Sequence, residues 1–177
     1  MFLNSFGFKG EIHMDKQKKT KNGQAPYNWN NFFHLVSTFE DLVDYVIINK
    51  PLYLDGYKAK FINMGIVISS SDVTIEDLEM EADKSLGNLI TVAADDAQLL
   101  YLDIEYIVGD EEACAIAVLS AENVVIRSCD IYFESNITSD DKETYAINIY
   151  DSKNVLMRYN DITARLPGLY MSEYDWS

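Results

Sequence analysis

The sequence predicts an all-β fold: a right-handed, single-stranded parallel β-helix, a solenoid of about five coils with a short N-terminal capping helix. Three observations predict it. Four nine-residue segments share one register of apolar positions, a further apolar pair precedes each segment, and the chain ends by starting the same pattern again.

The segments are residues 72–80 (DVTIEDLEM), 96–104 (DAQLLYLDI), 123–131 (NVVIRSCDI) and 154–162 (NVLMRYNDI). Aligned on the opening Asp or Asn, they give four columns. These are Val73, Ala97, Val124, Val155; Ile75, Leu99, Ile126, Met157; Leu78, Leu102, Cys129, Asn160; and Met80, Ile104, Ile131, Ile162. Only Asn160 departs from an apolar or Cys identity. Within each half the spacing of two is that of a strand with one buried face. The three-residue step from Ile75 to Leu78, repeated in the other segments, is the step of a tight corner between short strands. The preceding pairs, Ile66 and Ile68, Ile90 and Val92, Ile116 and Val118, Ile147 and Ile149, supply a third strand per unit. One such unit cannot bury its inward face alone. Stacked at about 4.8 Å, successive units build a continuous core and pair every strand above and below. A helix over residues 95–108 is locally plausible but fails on register, because three other segments share the pattern and are rich in β-branched residues.

Upstream, residues 46–56 (VIINKPLYLDG) read as an earlier, looser coil with Leu52 and Leu54 inward. Residues 37–40 (STFE) have the form of a capping box, and Phe39, Leu42, Val43 and Val46 make the stripe of a short helix. That helix is expected over the open end of the first coil, shielding strand edges, with packing along the side as the alternative. Residues 1–25, with Lys9, Lys16, Lys18, Lys19 and Lys21, read as a flexible leader able to touch an anionic surface or to serve as a solvated linker. Residues 26–46 then form an aromatic segment (Tyr27, Trp29, Phe32, Phe33) with the cap, and residues 47–177 the solenoid.

Residues 168–177 (GLYMSEYDWS) align position for position with residues 65–74 (GIVISSSDVT). The expectation is a solenoid cut in mid-coil without the polar terminal cap such arrays need. A shortened reading frame, an excised fragment, or a partner over the open coil would each account for this, and the last makes self-association through that coil an expectation.

Composition sets outer limits. The 177 residues suffice for one core, and 48% hydrophobic residues exclude a disordered chain despite a net charge of −15. Fourteen Lys and Arg against 29 Asp and Glu argue against nucleic acid, where phosphate binding needs clustered cations. The acidity fits cation binding, a high-salt setting or plain solubility. Cys114 and Cys129 form no metal-ligand or CxxC pattern and fall on inward positions, as buried free thiols do. No signal-peptide layout and no apolar run of transmembrane length is present.

These segments resemble the parallel β-helix repeats of the pectin-lyase-like superfamily. Residues 48–56 (INKPLYLDG) followed by 65–78 (GIVISSSDVTIEDL) look like the opening coils of adhesin-like surface proteins of archaea and bacteria. The resemblance covers roughly residues 37–177 and rests on core residues, so it speaks to fold more than to activity. It implies a cell-surface or secreted protein, a non-catalytic shaft in the manner of adhesins, or else a remnant of a polysaccharide lyase or glycoside hydrolase.

Candidate sites lie on outward positions. Glu79, Asp103, Asp130 and Asp161 recur just before the last column, and stacking would bring these like charges to about 5 Å, inviting calcium or a solvated stripe with the side chains splayed. No other cofactor is indicated. The connecting loops carry Asp110, Glu111, Glu112, Glu134, Asp140, Asp141 and Glu143, with Tyr106, Tyr132, Phe133 and Tyr145 beside them. Carboxylates and aromatic faces suit a glycan, a protein surface or calcium. Residues 136–138 (NIT) form a glycosylation sequon. Were the chain an enzyme, Asp140 and Asp141 are the available carboxylate pair, and Arg127 or Arg158 beside Asp130 and Asp161 the available lyase-type combination. Both histidines, His13 and His34, precede the repeats, and no acid/base set stands apart from the repeat background.

Overall fold

The computed structural model describes residues 12–13, 32–35, 38–40, 44–57, 59–137 and 144–165. Within them the secondary structure is strand and turn, with no helix. Seventeen strands visit three sheets in strict rotation. The first sheet takes β2 (Phe32–Leu35), β5 (Leu52–Asp55), β8 (Val73–Glu76), β11 (Gln98–Leu100), β14 (Val125–Arg127) and β17 (Leu156–Arg158). The second takes β3 (Thr38–Glu40), β6 (Lys60–Ile62), β9 (Glu79–Ala82), β12 (Asp103–Val108), β15 (Asp130–Ser135) and β18 (Asp161–Arg165). The third takes β4 (Tyr45–Ile48), β7 (Gly65–Ile68), β10 (Asn88–Val92), β13 (Ala113–Leu119) and β16 (Thr144–Tyr150). All pairings among them are parallel, each strand lying on the strand one turn earlier, as in a β-helix.

The inward columns stack as read from the sequence. Ile75, Leu99, Ile126 and Met157 face one another in the first sheet, Met80, Ile104, Ile131 and Ile162 in the second, and Ile66, Ile90, Ile116 and Ile147 in the third. One contiguous core results, since each column contributes buried side chains to the same interior. The looser coil is also there: Leu52 pairs with Val73 and Leu54 with Ile75. Residues 98–100 and 103–108 are strands, so the rival helix over this segment is absent.

Two left-handed positions recur in all four units and turn the chain. The opening Asp72, Asp96, Asn123 and Asn154 have φ of 58°, 56°, 58° and 52°, the region in which Asn and Asp are most at ease among non-glycine residues. Asn123 Nδ2 donates to Asp96 Oδ1 at 3.1 Å and Asn154 Nδ2 to Asn123 Oδ1 at 3.2 Å, so this corner is tied by a side-chain ladder. The second corner is Asp77, Tyr101, Ser128 and Tyr159, with φ of 54°, 54°, 55° and 58°. Its amides stay in the inter-coil ladder: Asp77, Tyr101 and Ser128 donate to the carbonyls of Leu100, Arg127 and Arg158 at 3.1, 3.0 and 3.1 Å. A single left-handed residue thus bends the strand without orphaning a donor.

At the N-terminus the described residues are strands: Thr38–Glu40 pair in parallel with Lys60–Ile62, and Tyr45–Ile48 with Gly65–Ile68. Phe39 and Val46 of the expected helical stripe lie on these strands, while Leu42 and Val43, its middle, lie outside the described residues. Parallel stacking extends upstream of residue 47, to β2. Its edge in the first sheet carries β1 (Ile12–His13), antiparallel to β2 through Ile12–Leu35 and His13–His34, a pairing that ends the parallel stack. The rest of the expected leader, Trp29, and the segment after Arg165 lie outside the described residues.

Candidate functional site

Outward side chains can carry function only where the stacking leaves them accessible. On the first sheet one outward column runs Glu76, Leu100, Arg127, Arg158. Arg127 and Arg158 therefore face each other in register, about 4.8 Å apart along the axis, an arrangement that disfavours like charges by roughly 0.2–1 kcal/mol. Beside them runs the second corner, with exposed Tyr101 and Tyr159 flanking the smaller Ser128. The Arg127 guanidinium lies 5.8 Å from the Tyr101 ring centroid, and that of Arg158 lies 4.5 Å from the Tyr159 centroid. Such contacts are worth about 0.5–1 kcal/mol at exposed sites, which offsets the repulsion. Among the described residues neither guanidinium has a carboxylate partner, and Arg127 Nε is buried without an acceptor. Two unpaired guanidinia and two exposed rings thus share one corner of a strongly acidic chain.

The second sheet bears the opposite charge. Glu79, Asp103, Asp130 and Asp161 stack in direct register, with Glu81 and Glu105 in a parallel column. Lys60 sits at one end, facing Glu79 and ion-paired to Glu81; that hydrogen bond to Glu81 raises the Lys60 ammonium above its ordinary range. At the other end Tyr132 donates to Glu134, and the Arg165 guanidinium lies 5.4 Å from the Tyr132 ring. The carboxylates form two files, Glu79, Asp103, Asp130 and Asp161 in one and Glu81 and Glu105 in the other. At about 4.8 Å per step only neighbours can reach one ion, whereas calcium takes six to eight oxygens at roughly 2.3–2.6 Å. In keeping with that, no group of three or more His, Cys, Asp or Glu among the described residues is arranged to hold a metal.

The loop residues separate into two classes. Asp110, Glu111 and Glu112 are exposed on the turn between β12 and β13. The next loop is laced to that turn: Ser135 Oγ donates to Gly109 O at 3.1 Å, Asn136 N to Gly109 O at 3.3 Å, and Ile137 N to Ser135 Oγ at 3.1 Å. Tyr132 and Glu134 are half-buried on β15. Tyr106 and Phe133, read from sequence as loop aromatics, are core residues instead. Strands β12 and β15 continue past the last column, so the alternation Ile104, Tyr106, Val108 and Ile131, Phe133, Ser135 turns both rings inward, with centroids 5.7 Å apart. The Tyr106 hydroxyl accepts from Leu86 N at 2.8 Å and donates to Gly87 O at 3.1 Å. Burial raises its phenol above the usual range. Tyr145 is exposed, yet it lies over Cys114 in the inward column of the third sheet, at the end of the stack. Asp140, Asp141, Glu143 and Thr138 of the sequon lie outside the described residues; Asn136 is exposed.

Tyr101 and Tyr159 escaped the sequence reading. Their signal was the second-corner column itself, where two coils place a large aromatic against Asp77 and Ser128 in the others. Both cysteines are free and buried as expected; burial pushes the Cys114 thiol up to about 12 and raises that of Cys129.

In comparisons with known proteins the chain matches no family model, no curated protein and no solved structure. Among the described residues no helix is long and apolar enough to cross a membrane.

Proposed function

We propose that this chain is a non-catalytic scaffold of the adhesin-like kind: a right-handed parallel β-helix of about five coils, on the cell surface or secreted, that binds a glycan or a protein. The observation that carries the reading is the contrast between the two sides of each strand. Inward positions stay almost wholly apolar from coil to coil, whereas the accessible outward positions change from Glu76 to Arg127 in one column and from Gln98 to Val125 to Leu156 in another, with Leu100 and Thr74 of the same columns buried. A rigid shaft with freely varied outward residues is the arrangement of a binding surface. The corner of Tyr101, Arg127, Arg158 and Tyr159 is its best-equipped part, with rings for apolar sugar faces and guanidinia for carboxylates. The exposed acids at Asp110, Glu111 and Glu112 offer a second, chemically distinct patch.

The test is a glycan panel with polygalacturonate among the probes, read for both binding and turnover. Binding without turnover, weakened at least tenfold in Arg127→Ala and Arg158→Ala while Asp110→Ala has a smaller effect on acidic glycans, supports the reading. Chain cleavage that Arg158→Ala or Asp140→Ala abolishes would replace it with a polysaccharide lyase or glycoside hydrolase.

A further inference from the structure

Charge on the outward side of the first sheet is ordered along the solenoid axis. One outward column runs Asp55, Glu76, Leu100, Arg127, Arg158: two acids on successive coils, a buried leucine, then two bases on successive coils. Like charge is stacked on like at both ends of this column, at strand spacing, and each stack is unfavourable in the isolated chain. Glu76 accepts from the Tyr53 hydroxyl. Neither guanidinium has a carboxylate partner among the described residues, and Arg127 Nε is buried without an acceptor. The neighbouring outward column, Tyr53, Thr74, Gln98, Val125, Leu156, is uncharged throughout. On the adjoining corner exposed Tyr57, Tyr101 and Tyr159 occupy alternate coils, with Asp77 and Ser128 between them. Turned end for end about Leu100, this face presents each of these charges to an opposite charge or to a hydroxyl.

We propose that a second copy of this chain packs antiparallel on this face, as a side-by-side homodimer whose two-fold axis lies in the contact plane and runs along β11. This rests on the reading of the tyrosine–arginine corner as a binding surface, and it names the protein that occupies it. The axis carries each coil onto its counterpart on the other side of β11. Arg127 then meets Glu76 of the second copy and Arg158 meets its Asp55, each pair occurring twice, so one operation relieves both like-charged stacks. On the axis Gln98 and Tyr101 meet their own images, where two carboxamides can exchange donor for acceptor and two rings can pack. Thr74 meets Val125 and Tyr53 meets Leu156, so the second column buries no charge. Copies packed parallel on this column would set Arg127 on Arg127, so charge selects the antiparallel arrangement. The opposite corner, with Asp72 and Asp96, has no such match, and the contact centres on the tyrosine side. The contact is isologous and closes as a dimer. An acidic glycan, drawn to the same guanidinia, competes with the second copy for them.

Sedimentation equilibrium on the full chain tests this, up to roughly 100 μM. The expected result is a species of twice the 20.2 kDa chain mass. Arg127→Glu and Glu76→Arg are each expected to weaken the dimer at least tenfold with an unchanged β-type circular dichroism spectrum. Mixed in equal amounts, these two variants are expected to regain it as a heterodimer, because every acid of the column then faces a base. The double variant carrying both changes is expected to regain it alone. Where Arg127→Glu unfolds, the exposed Arg158→Glu paired with Asp55→Arg carries the same test. Glu111→Arg, on the exposed turn between β12 and β13, is expected to leave the dimer intact. A monomeric wild-type chain overturns the proposal, and the glycan-binding role still stands if that monomer binds polygalacturonate. A dimer that survives both single changes, one lost in Glu111→Arg, or a mixture that stays monomeric overturns it too. A restored mixture upholds it whatever the glycan panel shows.

Discussion

The Asn160 carboxamide clasps the coil below it at Cys129: its Oδ1 accepts from Cys129 N at 3.0 Å, and its Nδ2 donates to Ile126 O at 2.9 Å. It is the single polar residue among the inward positions of the four repeats, and it stands where the others have Leu78, Leu102 and Cys129. Restoring the apolar pattern with Asn160→Leu is therefore expected to destabilise the chain. The change leaves an amide and a carbonyl without these partners, at about 1–3 kcal/mol. Urea denaturation of the two proteins measures it, and an unchanged or higher midpoint for Asn160→Leu would deny the clasp any role.

Gly56 marks a close approach between turns. A Cβ there meets Asp77 O at 2.6 Å and the Leu78 Cα at 2.8 Å, both fixed by the next coil. Gly56→Ala is expected to cost on the order of 1–3 kcal/mol by overpacking. Gly109 has nothing within 4 Å of the same position, so Gly109→Ala is the matched control, expected within about 0.5 kcal/mol of the wild type. Thermal unfolding of the pair reads the difference directly.

What the sequence revealed and what it hid follow one physical division. The inward columns are legible because their spacing is local, two residues along a strand and three across a corner. Which strand lies on which is not local. Phe39, Leu42, Val43 and Val46 satisfy helical spacing, and nothing near them announces that Thr38–Glu40 pair with residues more than twenty positions later. Tyr106 and Phe133 are hidden for a gentler reason: the repeat common to all four segments ends at Ile104 and Ile131, while the strands run on to Val108 and Ser135. The Arg127–Arg158 stack was visible as a column, but the cation–π contacts that make it tolerable depend on how the Tyr101 and Tyr159 corners project.

Tyr106→Phe separates a structural from a binding role for that ring. The loss removes the hydroxyl that serves both Leu86 N and Gly87 O and leaves them unpaired inside the fold, at an expected cost of about 1–3 kcal/mol. Glycan affinity is expected to be unchanged in the folded variant. A tenfold loss of affinity with stability intact would return Tyr106 to the ligand.

Alkaline stability depends on the buried thiols. The Cys114 thiol has an ordinary value of 9.0, and burial pushes it up to about 12 in the folded chain. Below pH 9 both states hold the proton and the thiol contributes no pH dependence. Above it the unfolded chain releases the proton first, so stability falls as pH rises from about 9 towards 12, by at most ~1.4 kcal/mol per unit. Burial of Cys129 acts in the same direction. Replacing Cys114 with Ala is expected to flatten this slope between pH 9 and 11, measured as urea midpoints. An identical slope would show that Cys114 does not titrate there.

The carboxylate file on the second sheet makes a final prediction, in which repulsion is decided against ion binding. Asp103 faces Glu79 on one side and Asp130 on the other, so it meets two like charges at strand spacing. Each such pair disfavours the fold by roughly 0.2–1 kcal/mol at low ionic strength, and added salt screens it over about 10 Å at 0.1 M. Asp103→Asn is therefore expected to stabilise the chain, by up to about 2 kcal/mol from the two neighbours together, with the gain shrinking as sodium chloride is raised. Calcium held by the file predicts the reverse sign: Asp103→Asn would then remove a ligand, and the wild type would lose stability on adding a chelator. Unfolding midpoints of both proteins, in low salt, in high salt and with EDTA, distinguish the two outcomes. The ladder geometry favours repulsion, because carboxylates spaced about 4.8 Å apart from strand to strand offer one ion far fewer than the six to eight close oxygens that calcium takes.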